Sequence, residues 1–176
     1  MINTPEIDAL RKRCCSIYGD GVGNPAILLH DIANWCETHK VEFDNYGEGE
    51  FLACFERKLA KLLGFPAARF MPSGVMAQLC AIKIWSEQAD CPHFAMHPSS
   101  HLELHEYKSY KHLFQLQAQL LGPSDSPLLS EHLNTLESPI ASLLIELPIR
   151  EAGGQLPSWE QLQSLKEKTK ALGIRL

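Results

Sequence analysis

Apolar positions along the chain switch between a helical period and short unbroken runs. From Phe51 to Leu63, the residues Leu52, Phe55, Leu59, Leu62 and Leu63 share one face of a helix, and Gly64 supplies its C-terminal stop. Upstream, Thr4-Pro5 and Asn24-Pro25 each place a capping side chain before a proline, predicting helices that start there, the second running to about Cys36. Between them, Gly19-Asp20-Gly21-Val22-Gly23 predicts a flexible turn, since no strand precedes it and its third glycine is misplaced for a dinucleotide fingerprint. Beyond Gly64 the period changes. Ala67–Met71 is short and apolar, as a buried strand is, and Pro72-Ser73-Gly74 turns the chain into a helix over Val75–Trp85. Further strands are predicted at His93–Met96, Phe114–Leu121 and Ile140–Leu147, with short helices at Leu102–Lys111 and Ser130–Leu136. Ser158 and Gln161 form a capping box for a last helix ending at Leu172, and Ile174-Arg175-Leu176 opens another strand.

Strands that alternate with helices imply an α/β fold, with a mostly parallel sheet covered by helices on both faces. A buried strand needs its length to satisfy its ladder, so the strand opening at Ile174 is expected to continue, and the chain reads as part of a larger domain.

Composition narrows the function classes. The 176 residues are 45% hydrophobic and 21% charged, with a net charge of -5, as in an ordinary globular domain. No basic stripe is present, which argues against nucleic acid as a partner. No apolar run approaches the ~20 residues of a membrane span, and the charged N-terminus lacks a signal-peptide core. The six cysteines include no C-x-x-C pair, and Cys36, Cys54 and Cys80 sit among apolar residues, which suits reduced thiols in a cytoplasmic protein.

The chemistry is concentrated in Phe70-Met71-Pro72-Ser73-Gly74-Val75-Met76-Ala77. A strand that turns tightly into a helix presents free backbone N–H groups and the positive end of a helix dipole, which together hold an anion. Gly74 permits close approach of a phosphate and Ser73 offers a hydroxyl. Taken alone, the segment reads equally as a serine-capped helix or as a phosphate cradle.

The segment has company. Tyr46-Gly47-Glu48, then Leu59-Ala60-Lys61-Leu62-Leu63-Gly64, then Pro72-Ser73-Gly74-Val75-Met76-Ala77-Gln78 resemble, in order and spacing, the threonine aldolase/β-eliminating lyase family. Ser100-His101-Leu102-Glu103-Leu104-His105-Glu106 is similar to that family's A-H-I-Y-R-Y-E segment, and Ile145 to Pro157 to its L-E-N-T-H-N-x-x-G-G-x-x-x-P stretch. The likeness covers roughly 41–176. It implies a fold-type I (aspartate aminotransferase-like) large domain, represented in part by 41–176, behind an N-terminal helical segment over 1–40. It also implies pyridoxal 5'-phosphate as cofactor, a small amino-acid substrate and a homodimer or homotetramer. The implied reaction cleaves the Cα–Cβ bond of a β-hydroxy-α-amino acid to glycine and an aldehyde, or is a related β-elimination. By the same likeness, Ser73, Gly74 and Val75 hold the cofactor phosphate, and His101 stacks on the pyridine ring and assists proton transfer. Glu146 and Arg150 line the pocket, Arg150 as a carboxylate partner, and Tyr46 and Glu48 lie near a neighbouring subunit's site. Two positions depart from the pattern. Val75 replaces a threonine hydroxyl on the phosphate, and Leu147-Pro148-Ile149-Arg150 replaces N-T-H-N, removing a histidine near the substrate side chain. The family's H-x-D-G-A-R segment and Schiff-base lysine fall beyond Leu176, so these 176 residues alone are expected to be inactive.

Two other readings compete. His93, His97, His101 and His105 recur every four residues after Cys91, which would suit a metal-dependent hydrolase using His97, His101 and His105. Pro98 interrupts any continuous helix there, the P-C-x-x-C partner of a zinc deaminase is missing, and no H-E-x-x-H is present. Scattered histidines with no metal are the plainer account. The second competitor is a non-catalytic, truncated protein of the same fold. Elsewhere, Trp35, Trp85 and Trp159 read as packing anchors, and Lys83, Lys108 and Lys111 as solvated charges.

Overall fold

A computed structural model describes residues 24–176, together with Ala9, Leu10 and Arg13, which are helical. The helix start expected at Thr4-Pro5 and the turn expected at Gly19–Gly23 lie outside the described residues. The chain divides into two compact units, Met1–Phe70 and Met71–Leu176.

In the first unit, α1 spans Pro25–His39 and α2 spans Glu50–Leu63. Asn24 caps α1 by accepting from Ala26 N at 2.9 Å, with Pro25 in the first turn, where its missing N–H costs nothing. Gly64 closes α2 in the left-handed conformation, φ 72°, which glycine adopts without a Cβ penalty. The Trp35 ring meets Phe51 edge-on at 5.7 Å, tying the two helices together. The strand expected at Ala67–Met71 does not form. The Phe70 N–H donates to Glu56 Oε1 of α2 at 2.8 Å instead of to a neighbouring strand, and Arg69 pairs with the same carboxylate at 3.3 Å. The segment is extended, without a ladder among the described residues.

The second unit is built on a parallel sheet. Its strands are β1 (His93–Met96), β2 (Gln117–Leu120) and β3 (Ser142–Leu144), in the order β2-β1-β3. Phe94 is in register with Ala118 on one side and Ser142 on the other. Beyond β3, Arg175 pairs with Ser142 in a parallel bridge, so the expected next strand takes its place in the sheet. Alternation of side chains along β1 sends Phe94 and Met96 to one face and Ala95 to the other. On the first face they pack with Leu79 and Ile82 of helix α3 (Gly74–Gln88), and with Leu102 and Tyr110 of the short helices α4 (His101–Leu104) and α5 (Ser109–His112). On the second face, Ala95 and Leu143 pack with Leu133 of a 3-10 turn and with Leu165 of α6 (Trp159–Ala171). The capping box of α6 forms as expected, with Ser158 N donating to Gln161 Oε1 at 2.7 Å and Gln161 N to Ser158 Oγ at 3.3 Å.

Besides the missing strand at Ala67–Met71, three more elements differ from the sequence expectation. Leu102–Lys111 splits into α4 and α5 because Tyr107 and Lys108 take positive φ values of 49° and 53°, which no α-helix accommodates. The strand expected at Ile140–Leu147 keeps only Ser142–Leu144; Ile140 and Ala141 before it are buried, Ile145 packs partly against the core, and Leu147 is exposed. The short helix expected at Ser130–Leu136 is a 3-10 turn over Ser130–Thr135.

Candidate functional site

The connection from α3 to β1 is only Ala89–Pro92, so α3 runs antiparallel to the strands and its N-terminus lies at their carboxyl edge. Ligands of open parallel sheets bind at that edge. Ser73 caps α3, its Oγ accepting from Met76 N at 3.1 Å. The Gly74 and Val75 N–H groups have no acceptor among the described residues. A Cβ added at Gly74 would meet no atom within 4 Å, so the space over these donors is open. The sequence left cap and cradle as alternatives. One serine hydroxyl caps a single N–H and leaves two main-chain donors facing out.

The same edge carries the end of β1. His97 follows the strand and is buried. Its Nε2–H donates to Pro123 O at 2.8 Å and Ser126 O at 2.9 Å, while Nδ1 accepts from Ser99 Oγ at 2.6 Å. It therefore clamps the loop after β2 onto the strand end. His101 opens α4. Its backbone N–H donates to Glu146 Oε2, at the end of β3, at 3.0 Å. Its ring Nε2–H donates to Glu106 Oε1 at 2.9 Å. The next histidine on the segment, His105, stands 5.1 Å from it ring to ring and bonds Glu151 Oε1 at 2.8 Å. His101 and Glu146 are thus in direct contact, and Ser73, Gly74 and Val75 share their edge of the sheet. A narrow apolar cleft beside them is lined by His97, Leu144, Glu146, Ile149, Pro157 and Leu165. Arg150 sits exposed in a 3-10 turn over Arg150–Ala152 and makes no ion pair among the described residues.

Tyr46 and Glu48 belong to the other unit, both exposed, Tyr46 at 89%. The residue that organises their loop is Asp44, which sequence reasoning missed. Its Oδ1 accepts from Tyr46, Gly47 and Glu48 N at 3.1, 2.7 and 3.2 Å, and its Oδ2 from Gly49 N at 2.9 Å. These bonds, that of Gly49 foremost, hold the Asp44 carboxyl below the usual aspartate range. An aspartate shortly before two closely spaced glycines was the available signal. Glu106 was also missed as a ring partner, although it lies in the segment that carries His101.

The histidines do not converge. His97, His101 and His105 each engage a different partner, and among the described residues no group of three or more His, Cys, Asp or Glu side chains is placed to hold a metal ion. No described helix is long and apolar enough to cross a membrane.

The profile of the beta-eliminating lyase family matches residues 33–176. Among solved structures, the chain is similar to a proposed L-allo-threonine aldolase from Listeria monocytogenes EGD-E, with 41% identity and a TM-score of 0.81 over 89% of this chain and 43% of that one. It is also similar to a proposed aromatic amino acid beta-eliminating lyase/threonine aldolase from Exiguobacterium sp. 255-15, with 37% identity and a TM-score of 0.81 over 90% of this chain and 44% of that one. The chain thus spans less than half the length of either structure. Among curated proteins, none matches.

Proposed function

The chain belongs to the beta-eliminating lyase family, and on that premise we propose that it forms part of a lyase acting on a β-hydroxy-α-amino acid, releasing glycine and an aldehyde. β-Elimination is the close variant. The observation that supports the reading is the bond from His101 N–H to Glu146 just beyond β3, at the edge of the sheet toward which the short α3–β1 connection directs the Ser73-capped start of α3.

Members of this family generally depend on pyridoxal phosphate, and the residues here fit it. Two unpaired N–H groups and open space over Gly74 suit a phosphate at a helix N-terminus. When bound, the cofactor supplies the electron sink for cleavage. The protein's part is to bind and orient. Gly74 and Val75 N–H would hold the phosphate, and the Ser73 hydroxyl would add a donor. His101 would serve the pyridine, its backbone held by Glu146 and its Nε2 by Glu106. With Nε2–H committed, Nδ1 is the atom left to take or return a proton. Arg150, free of ion pairs among the described residues, is the cation offered to a substrate carboxylate. Tyr46 and Glu48 would serve a neighbouring subunit's site, from a loop whose side chains stand free. The cytoplasm as compartment and a homo-oligomer as the working form are part of the same proposal.

The test is aldehyde release. The whole enzyme of which this chain is proposed to form part, purified and supplied with pyridoxal phosphate, is incubated with threonine, allo-threonine and phenylserine, and the aldehyde is read by NADH oxidation through alcohol dehydrogenase. Glycine and aldehyde in equal amounts support the proposal. Ammonia with a 2-oxo acid moves it to β-elimination, and no product from any of these substrates overturns it.

A further inference from the structure

We propose that Asp44 is a positioning residue, fixing the Tyr46-Gly47-Glu48 loop so that Tyr46 and Glu48 reach the substrate of a neighbouring subunit's site in one geometry. The inference rests on the lyase reading for the role of Tyr46 and Glu48, and on hydrogen bonds within one unit for that of Asp44. A single carboxylate takes the N–H groups of four successive residues, at 2.7 to 3.2 Å. Capping of α2 does not explain this. The free donors of that helix begin at Glu50, whereas the four bonds go to residues that precede it. Solubility does not explain it either, since an exposed carboxylate is satisfied by water alone. What the four bonds do is remove the freedom of the loop backbone while leaving its side chains bare. Two glycines make room for this. Gly47 has φ 72°, and a Cβ at Gly49 would stand 2.8 Å from Asp44 Oδ2 and 3.0 Å from its Cγ. An aromatic ring held out from a rigid loop, with little of its own chain against it, is preorganised for contact with something else.

The two oxygens give the substitution a defined effect. In Asp44→Asn, the amide nitrogen that takes the place of Oδ2 points a donor at Gly49 N–H, while the remaining oxygen loses its charge. The experiment follows amide hydrogen exchange at residues 46–49, and kcat and KM for aldehyde release, in the whole enzyme of which this chain is proposed to form part, as wild type, Asp44→Asn, Tyr46→Ala and the double variant. Expected are exchange faster by about tenfold or more and a melting temperature near that of the wild type. kcat/KM is expected to fall by roughly 10- to 100-fold in Asp44→Asn, as for a misplaced site group. In the Tyr46→Ala background, Asp44→Asn is expected to add no further loss, because the two act through one contact. Unchanged exchange overturns the proposal, and so do losses that multiply. A wild type without lyase activity overturns the catalytic reading and the positioning role with it, and the exchange data tell that failure apart from a loop that Asp44 does not hold.

Discussion

Gly74→Ala separates the cradle from the cap. Gly74 is the first residue of α3, its φ is not positive, and an added Cβ meets no atom within 4 Å. The methyl group therefore costs the unliganded protein nothing sterically. Alanine also loses less backbone entropy than glycine on folding, so stability is expected to rise by about 0.4–1 kcal/mol. A phosphate on the Gly74 and Val75 N–H groups would occupy the same space as that methyl. Displacing it by even part of an ångström weakens two charge-assisted hydrogen bonds, each worth about 1.5–3 kcal/mol. Losing the equivalent of one of them lowers affinity by roughly 10- to 100-fold. The assay pairs urea denaturation of the unliganded protein with fluorescence titration by pyridoxal phosphate, and by pyridoxal as a control without phosphate. The expected pattern is higher stability, weaker binding of pyridoxal phosphate and unchanged binding of pyridoxal. Pyridoxal phosphate bound as tightly by the variant as by the wild type would refute the cradle, whatever the stability data show.

Two other predictions concern the core. Leu165→Ala removes a side chain packed among Ala95, Leu128, Leu143 and Ile174, and is expected to cost about 2–5 kcal/mol in urea denaturation; a loss below 1 kcal/mol would mean that α6 does not carry that face. Tyr110 is half of a sequestered pair, its hydroxyl donating to Glu103 Oε2 at 2.6 Å while Lys108 holds the other oxygen, Oε1, at 2.6 Å. Burial first, and the Glu103 carboxylate second, push its phenol far above the usual tyrosine range. A folded-state pKa raised in this way stabilises the protein below the ordinary tyrosine pKa and withdraws that support as pH climbs past it. Absorbance titration is expected to show a late phenol phase that Tyr110→Phe deletes; a variant with the same late phase would contradict the assignment.

What the sequence disclosed, it disclosed where a local rule and a tertiary demand agree. Asn24-Pro25, Ser73-Gly74 and Ser158 with Gln161 are capping chemistries that act within four residues, and each marks a helix start in the structure. His93–Met96 is a central strand buried from both sides, so its unbroken apolar run has one interpretation. The failures lie where partners are distant. Nothing local distinguishes Ala67–Met71 from a buried strand, because the outcome depends on which acceptor Phe70 N–H finds, and that acceptor is a glutamate fourteen residues away. Nor does any glycine or proline mark the break at Tyr107 and Lys108, where the Glu103 salt bridge accompanies an unfavourable backbone. Trp159, a core or interface anchor by sequence, is 69% exposed and so lies outside the core. For the proposed site, Ser73, Gly74, Val75, His101 and Glu146 rest on family likeness, whereas nothing local pointed to the role proposed for Asp44, which consists wholly of bonds to main-chain atoms.

The two departures from the family pattern carry different weight once they are placed in the fold. Val75 lacks the hydroxyl that a threonine would offer a phosphate, yet its side chain packs against the cluster of Leu79, Ile82 and Phe94. Its N–H still faces outward at the helix start. In the proposed site the lost contact is one donor among several, and the main-chain donors are independent of side-chain identity. The replacement of N-T-H-N by Leu147-Pro148-Ile149-Arg150 reaches further. Ile149 is buried at 4% exposure in the wall of the cleft that Glu146 also lines, beside Leu144 and Leu165. An aliphatic wall offers no hydrogen bond to a substrate hydroxyl and rejects little else of similar shape, because an apolar pocket discriminates weakly against an isostere. In the proposed site, recognition of the β-substituent would then fall to polar groups outside this wall, of which Arg150 is exposed in the same unit.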